Sequence, residues 1–234
     1  NPACLLARVL EEKRTRAMQR IFQLLGLVHP PSDIATVAAA LRSSEPRQRS
    51  GAVELLDNTL RGEVRRRVVL LVEDMPADER VRKGNVIYKT RARDLEDTLA
   101  QLVHDENQVV AAAAMLLIEE HGLWALTDDL EHVLAHRDVR DWHVFEAASW
   151  ALAASRMPVE RRRQLWQEPL PTVVLVDRLR RLSVFDFISI DELFRIAELG
   201  AQVRHEAGRE VYPRGVTPDT LQFVLDGRVE IADE

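Results

Sequence analysis

Three stretches of the chain align when each is started at an aspartate, Asp33, Asp94 and Asp129, and the alignment holds over two helix lengths. One position on stand Ile34, Leu95 and Leu130; at offsets 18 and 19 stand the small pairs Gly51-Ala52, Ala112-Ala113 and Ala147-Ala148; at offset 23 stand Leu56, Leu117 and Leu152. Apolar residues recur at helical spacing twice within each stretch, as in Leu95, Leu99 and Leu102 and then Val109, Ala113, Leu116 and Leu117. Each stretch therefore predicts a pair of helices, with the small pair inside the second helix letting a neighbour approach closely. A single pair cannot bury its apolar face alone, so the register constrains the chain to a stack of helical pairs.

Turn and cap residues separate the paired helices: Ser43-Ser44-Glu45-Pro46, His104-Asp105-Glu106-Asn107, and Asp138 to Asp141. The pattern resembles HEAT repeats over residues 33 to 155. The spacing is 61 residues from Asp33 to Asp94 but 35 from Asp94 to Asp129, which leaves room for an irregular element. Arg65-Arg66-Arg67 followed by Val68-Val69-Leu70-Leu71-Val72 predicts a helix there, and Gly84-Asn85 predicts a turn in the polar segment that runs to Arg93.

With 46% apolar residues the chain can bury a core, and a formal charge of −6 argues against nucleic acid as a partner. Cys4 is the single cysteine, which excludes an internal disulfide and fits a reducing, cytoplasmic setting. No run approaches the roughly 18 apolar residues of a spanning helix. Residues 1–32 form a basic amphipathic segment, with Arg8, Lys13, Arg14, Arg16 and Arg20 against Glu11 and Glu12. Such a run is a solvated helix face or the cytoplasmic flank of a membrane segment that precedes residue 1.

Candidate chemistry is sparse. His132 and His136 stand four apart on an expected helix with Asp138, Asp141 and His143 nearby, but no Glu follows His132 and no cysteine assists, so a polar cluster is expected and no metal site. The one His-Glu dipeptide, His205-Glu206, lies outside the helical region, unlike the repeated dipeptides of HEAT-like di-iron hydroxylases. Trp124, Trp142, Trp150 and Trp166 are expected as core anchors rather than the base-stacking platform of HEAT-like DNA glycosylases. No nucleophile and base pair up and no glycine-rich phosphate loop occurs, so no catalytic residue and no cofactor is assigned. Arg161-Arg162-Arg163 and Arg178, Arg180 and Arg181 flank the proline-punctuated Glu168-Pro169-Leu170-Pro171, as a solvated linker face or as contacts to an acidic partner.

Ser189 with Glu192 three residues on forms a capping-box signature, which places a helix from about Ile190 to Gly200. The period then changes to short β-prone runs, Glu210-Val211-Tyr212, Leu221 to Leu225 and Arg228 to Ile231, with a hairpin signal at Asp226-Gly227. Leu179, Leu182 and Phe185, then Glu206-Ala207-Gly208, Gly215 and Phe223-Val-Leu-Asp-Gly-Arg-Val-Glu-Ile231 resemble the front half of the cyclic-nucleotide-binding domain family. The resemblance implies an antiparallel β-roll with turn glycines Gly208, Gly215 and Gly227. The family's phosphate-binding cassette does not follow Ile231, so no ligand-binding residue is assigned, and the chain is expected to continue past residue 234.

The expected organisation is a basic helical segment at 1–32, HEAT-like repeats at 33–166, a linker at 167–177 and a partial cyclic-nucleotide-binding-like domain at 178–234. The fold class is mainly α, a HEAT-like solenoid followed by a helix and an incomplete antiparallel β-roll. Together these parts are similar to the soluble region of bacterial ATP/ADP-translocase-like nucleotide transporters. That resemblance implies a non-catalytic regulatory module on the cytoplasmic face of a membrane transporter domain, a cyclic or other nucleotide at a complete roll, and a protein partner on the solenoid. The alternative is a constitutive protein-binding scaffold whose roll binds no nucleotide.

Overall fold

The structure, a computed structural model, describes residues 4–136, 142–157, 169–212, 215, 217 and 219–231. All regular structure among these residues is helical. The helices are α1 (Leu5–Val28), α2 (Pro31–Ala40), α3 (Pro46–Thr59), α4 (Gly62–Val72), α5 (Ala77–Tyr88), α6 (Leu95–Leu102), α7 (Gln108–His121), α8 (Thr127–His136), α9 (Trp142–Ser155), α10 (Thr172–Leu179) and α11 (Ile190–Leu199), with short 3-10 turns at Trp124–Leu126 and Ser183–Phe185. They form two compact units, Glu11–Thr98 and Asn1–Leu10 with Leu99–Glu234, whose limits differ from the boundaries expected at 32, 166 and 177.

In the unit Glu11–Thr98, successive helices from α2 to α5 pack neighbour on neighbour. Its core is Leu25, Ile34, Val37, Ala52, Leu56, Leu60 and Val68, with Ile21, Phe22 and Val72 packed on it. Pro31 and Pro46 open α2 and α3 at a position where the missing N–H is lost in any case. Arg65 on α4 grips the Asp57 carboxylate of α3 with two bonds of 2.6 and 2.7 Å, and Arg49 donates to the carbonyls of Ser43 and Ser44 at 3.0 Å, closing the turn before α3. Gly84-Asn85, expected as a turn, lies inside α5, where Gly84 faces Leu70. That helix is set by Pro76 at its start and the left-handed Lys89 at its end, and it holds no buried residue.

The other unit is built around α7, which is buried on nearly every side: Val110 to Leu116 and Ile118 are all within the core. Three features fix it. Asn107 caps its start by accepting from the N–H groups of Val109 and Val110 at 3.0 and 3.2 Å. Gly122 ends it at φ 63°, a left-handed position that suits glycine. Alanines 111 to 114 leave room for α9, which answers with Ala147, Ala148 and Ala151, and for α10 and α11. Leu5, Leu6 and Val9 also join this core. Within the stretch 167–177 expected to link domains, α10 begins at Thr172 and buries Val173, Val174, Leu175 and Val176.

The repeat register is embodied unevenly. Ala52, Ala112, Ala113, Ala147 and Ala148 are buried, as are Leu56 and Leu152. Gly51 is exposed, with nothing within 4 Å of where a Cβ would stand, so no helix approaches there. Leu95 is 58% exposed where Ile34 and Leu130 are buried. The aligned aspartates differ in role: Asp94 accepts from the Asp97 N–H at 2.7 Å and caps α6, whereas Asp33 and Asp129 sit within first turns.

The expected antiparallel β-roll is overturned. The capping-box helix forms as expected, with Ser189 and Glu192 exchanging bonds, and Gly208, Gly215 and Gly227 take φ values of 79, 76 and 91°. Yet no strand is present among the described residues from 200 onward. An alternating pattern becomes a strand only where a partner supplies the ladder, and one hairpin alone is marginal in water. Here Phe223 and Leu225 pack on the helical core instead, with the Phe223 ring 4.9 Å from that of Phe185. Leu221, Val224, Val229 and Ile231 remain exposed.

Candidate functional site

A shallow, open cleft lies beside the turn between α6 and α7, against one face of α8. Its volume is about 260 Å³. Val103, Ala111, Val133 and Val144 make an apolar floor, all of them buried. His104, Glu106, His132 and His136 stand at its rim, all exposed.

The local sequence explains the rim. Residues four apart on a helix share a face, so α8 presents His132 and His136 together one turn apart. Their rings stack with centroids 4.2 Å apart. The Nδ1 of His136 lies 3.1 Å from the carbonyl oxygen of His132. The turn Leu102 to Asn107 is tightened by the Asp105 carboxylate, which accepts from the Asn107 N–H at 2.8 Å. That turn delivers His104 edge-on to His132 with centroids 5.5 Å apart. The Nε2 of His104 is also 3.7 Å from the Asp129 carboxylate. Imidazoles here can exchange protons and donate lone pairs. Among the described residues the lining carries no hydroxyl, thiol or amine that could act as a nucleophile.

The cluster expected from sequence is thus redistributed. His132 and His136 come together. Asp138 and Asp141 lie outside the described residues. His143 belongs elsewhere: on α9, its Nε2 meets Glu198 of α11 at 2.7 Å and its ring lies 5.0 Å from that of Phe194, with Nδ1 buried and unpaired. Sequence reasoning assigned His104 only to a turn and Asp129 only to the repeat register. The available signal was the stacking itself, since in adjacent helical pairs the turn of one unit lies against the first helix of the next.

Other candidates resolve into packing. Asp177 is buried and held by Arg180, at 2.7 Å, and by Arg181, so the expected basic run at 178–181 spends two of its charges on an internal carboxylate. Burial raises the Glu120 carboxyl above its ordinary value and the charge of Asp177 adds to this, while Arg181, His121 and Arg180 act the other way. Arg161, Arg162, Arg163 and Trp166 lie outside the described residues. Trp142 is 55% exposed, unlike a core anchor, whereas Trp124 and Trp150 pack on the core. Arg14 binds Glu11 through bonds of 2.9 and 2.6 Å along α1. No helix among the described residues is long and apolar enough to cross a membrane.

No protein-family model matches the chain, and no curated protein and no solved structure matches it at a significant level.

Proposed function

We propose that the chain is a non-catalytic interaction module, a scaffold of stacked helical pairs that holds a protein partner without a nucleotide signal. Its position in this reading, beside a membrane nucleotide transporter on the cytoplasmic face, is taken from the sequence resemblance of the N-terminal and repeat segments. The observation that supports this reading is α5, an ordered helix with no buried residue. It presents Val81, Val86 and Tyr88 at 57, 73 and 44% exposure. A helix at the end of a stack normally turns a polar face outward, and exposed apolar side chains rimmed by charge are what a partner covers. The unit that carries α5 holds 17 Lys and Arg against 14 Asp and Glu, although the whole chain is acidic. The partner that fits is an acidic amphipathic helix.

A photo-crosslinking residue in place of Val86, introduced in the cells that make the protein, tests this. A discrete adduct that disappears when Val81→Glu is added supports the scaffold. A chain that gives no adduct refutes it. Titration with cAMP, cGMP or ATP is expected to give no heat, and binding of any of them would return the reading to a sensor.

A further inference from the structure

Helix α1 turns one face inward and leaves the opposite one bare. Within the unit Glu11–Thr98, Ile21, Phe22 and Leu25 of this helix join the core. On the other side Lys13, Arg16, Arg20, Leu24 and Leu27 follow one another at spacings of three and four, which keeps them on a single stripe. The far end of that stripe is apolar and uncovered: Leu24, Leu27 and the neighbouring Val28 are 63, 82 and 79% exposed. Its near end is basic. Glu11 and Glu12 meet Arg14 and Arg16 there, and from Lys13 to Ser32 no Asp or Glu occurs. Arg20 is exposed one turn before Leu24, where the two ends join.

We infer that the outward face of α1 from Lys13 to Val28 is a docking surface for an anionic lipid bilayer. Leu24, Leu27 and Val28 enter the boundary between headgroups and acyl chains, while Lys13, Arg16 and Arg20 meet the lipid phosphates and carboxylates. The long stems of the basic residues let their charged heads stay in water as the leucines sink. A second copy of the chain suits this stripe poorly. In parallel it would set the three cations against themselves, and in antiparallel it would lay them on Leu24 and Leu27. This contact does not rest on the reading of α5, whose side chains are separate and whose crosslink is measured separately.

The test is co-sedimentation of the whole chain with phosphatidylcholine vesicles and with vesicles of equal parts phosphatidylcholine and phosphatidylserine. Binding is expected to the second and not to the first, and it falls as salt is raised. Arg20→Ala weakens it about fivefold, the effect of one basic residue near such a surface. Leu24→Gln combined with Leu27→Gln weakens it on the order of 100-fold, since each buried leucine contributes about tenfold or more. Both leucines are exposed, so the double variant keeps the wild-type circular dichroism. Phe187→Gln, at a side chain 98% exposed in the other unit, leaves binding unchanged and so separates this face from general stickiness. No binding to the phosphatidylserine vesicles, equal binding to both compositions, or wild-type binding by the double variant overturns the surface. So does a dimer in sedimentation equilibrium that the double variant dissolves.

Discussion

Leucine placed at positions 51, 112 and 147, the same point of the sequence register in three units, separates register from packing. At Ala112 and Ala147, which are 0 and 2% exposed, the extra carbons enter a close-packed contact between α7 and α9. Overpacking of this kind costs about 1–3 kcal/mol. For a chain of this size each kcal/mol moves the melting temperature by about 2–4 °C, so both variants are expected to melt about 2–12 °C lower. At Gly51 nothing lies within 4 Å of the added Cβ, and leucine is a better helix former than glycine by about 0.8 kcal/mol. Gly51→Leu is therefore neutral or stabilising. All four tryptophans lie between 124 and 166, so tryptophan fluorescence follows the unit containing α7 and α9, while far-ultraviolet circular dichroism also reports the unit of Gly51. If Ala112→Leu melts at or above the wild type, or if Gly51→Leu destabilises as much as the other two, the packing argument fails.

Asn107→Ala removes the acceptor at the start of α7 and is expected to cost about 1 kcal/mol, read as a lower fluorescence melt, with Asn107→Ser retaining most of it. Asp177→Ala removes the ion-pair partner of the half-buried Arg180, leaving Glu120 as its acidic neighbour, and should cost about 3 kcal/mol; equal stability in a denaturant titration would show that the pair is not needed. Hydrogen bonds from the Ser189 hydroxyl and N–H hold the Glu192 carboxyl below its ordinary value of 4.5. A depressed folded value means stabilisation that is present above the unfolded value and lost as pH falls through the folded one. The wild type should therefore lose stability on acidification below 4.5 more steeply than Glu192→Gln, and parallel pH profiles would refute this.

Local chemistry was legible where it was self-contained. Ser189 and Glu192 form their box because both partners lie within one turn. The Asn107 cap and the helix at Arg65 to Val72 needed nothing distant. The pairing of α7 with α9 followed from small residues in register, because alanine at a crossing needs only the neighbour that the repeat supplies. Legibility failed where partners decide. Gly84-Asn85 has the composition of a turn, but Pro76 and Lys89 fix the ends of α5 and the helix runs through. Residues 221 to 231 alternate as a strand would, but Phe223 and Leu225 find a helical core and no ladder. At the cleft, the spacing of His132 and His136 was visible, while His104 arrives through tertiary packing and His143 leaves for Glu198.

The burial of α7 on nearly every side has a consequence for how its sequence can drift. A helix with one face in water accepts charge at regular intervals, which marks it as a helix in any record of tolerated changes. From Val110 to Leu116 no position of α7 faces water. A scan that placed aspartate at each would return an unbroken block of intolerance, with no 3.6-residue rhythm. Such a block resembles the record of a buried strand, so substitution data alone would misread the most central helix of its unit.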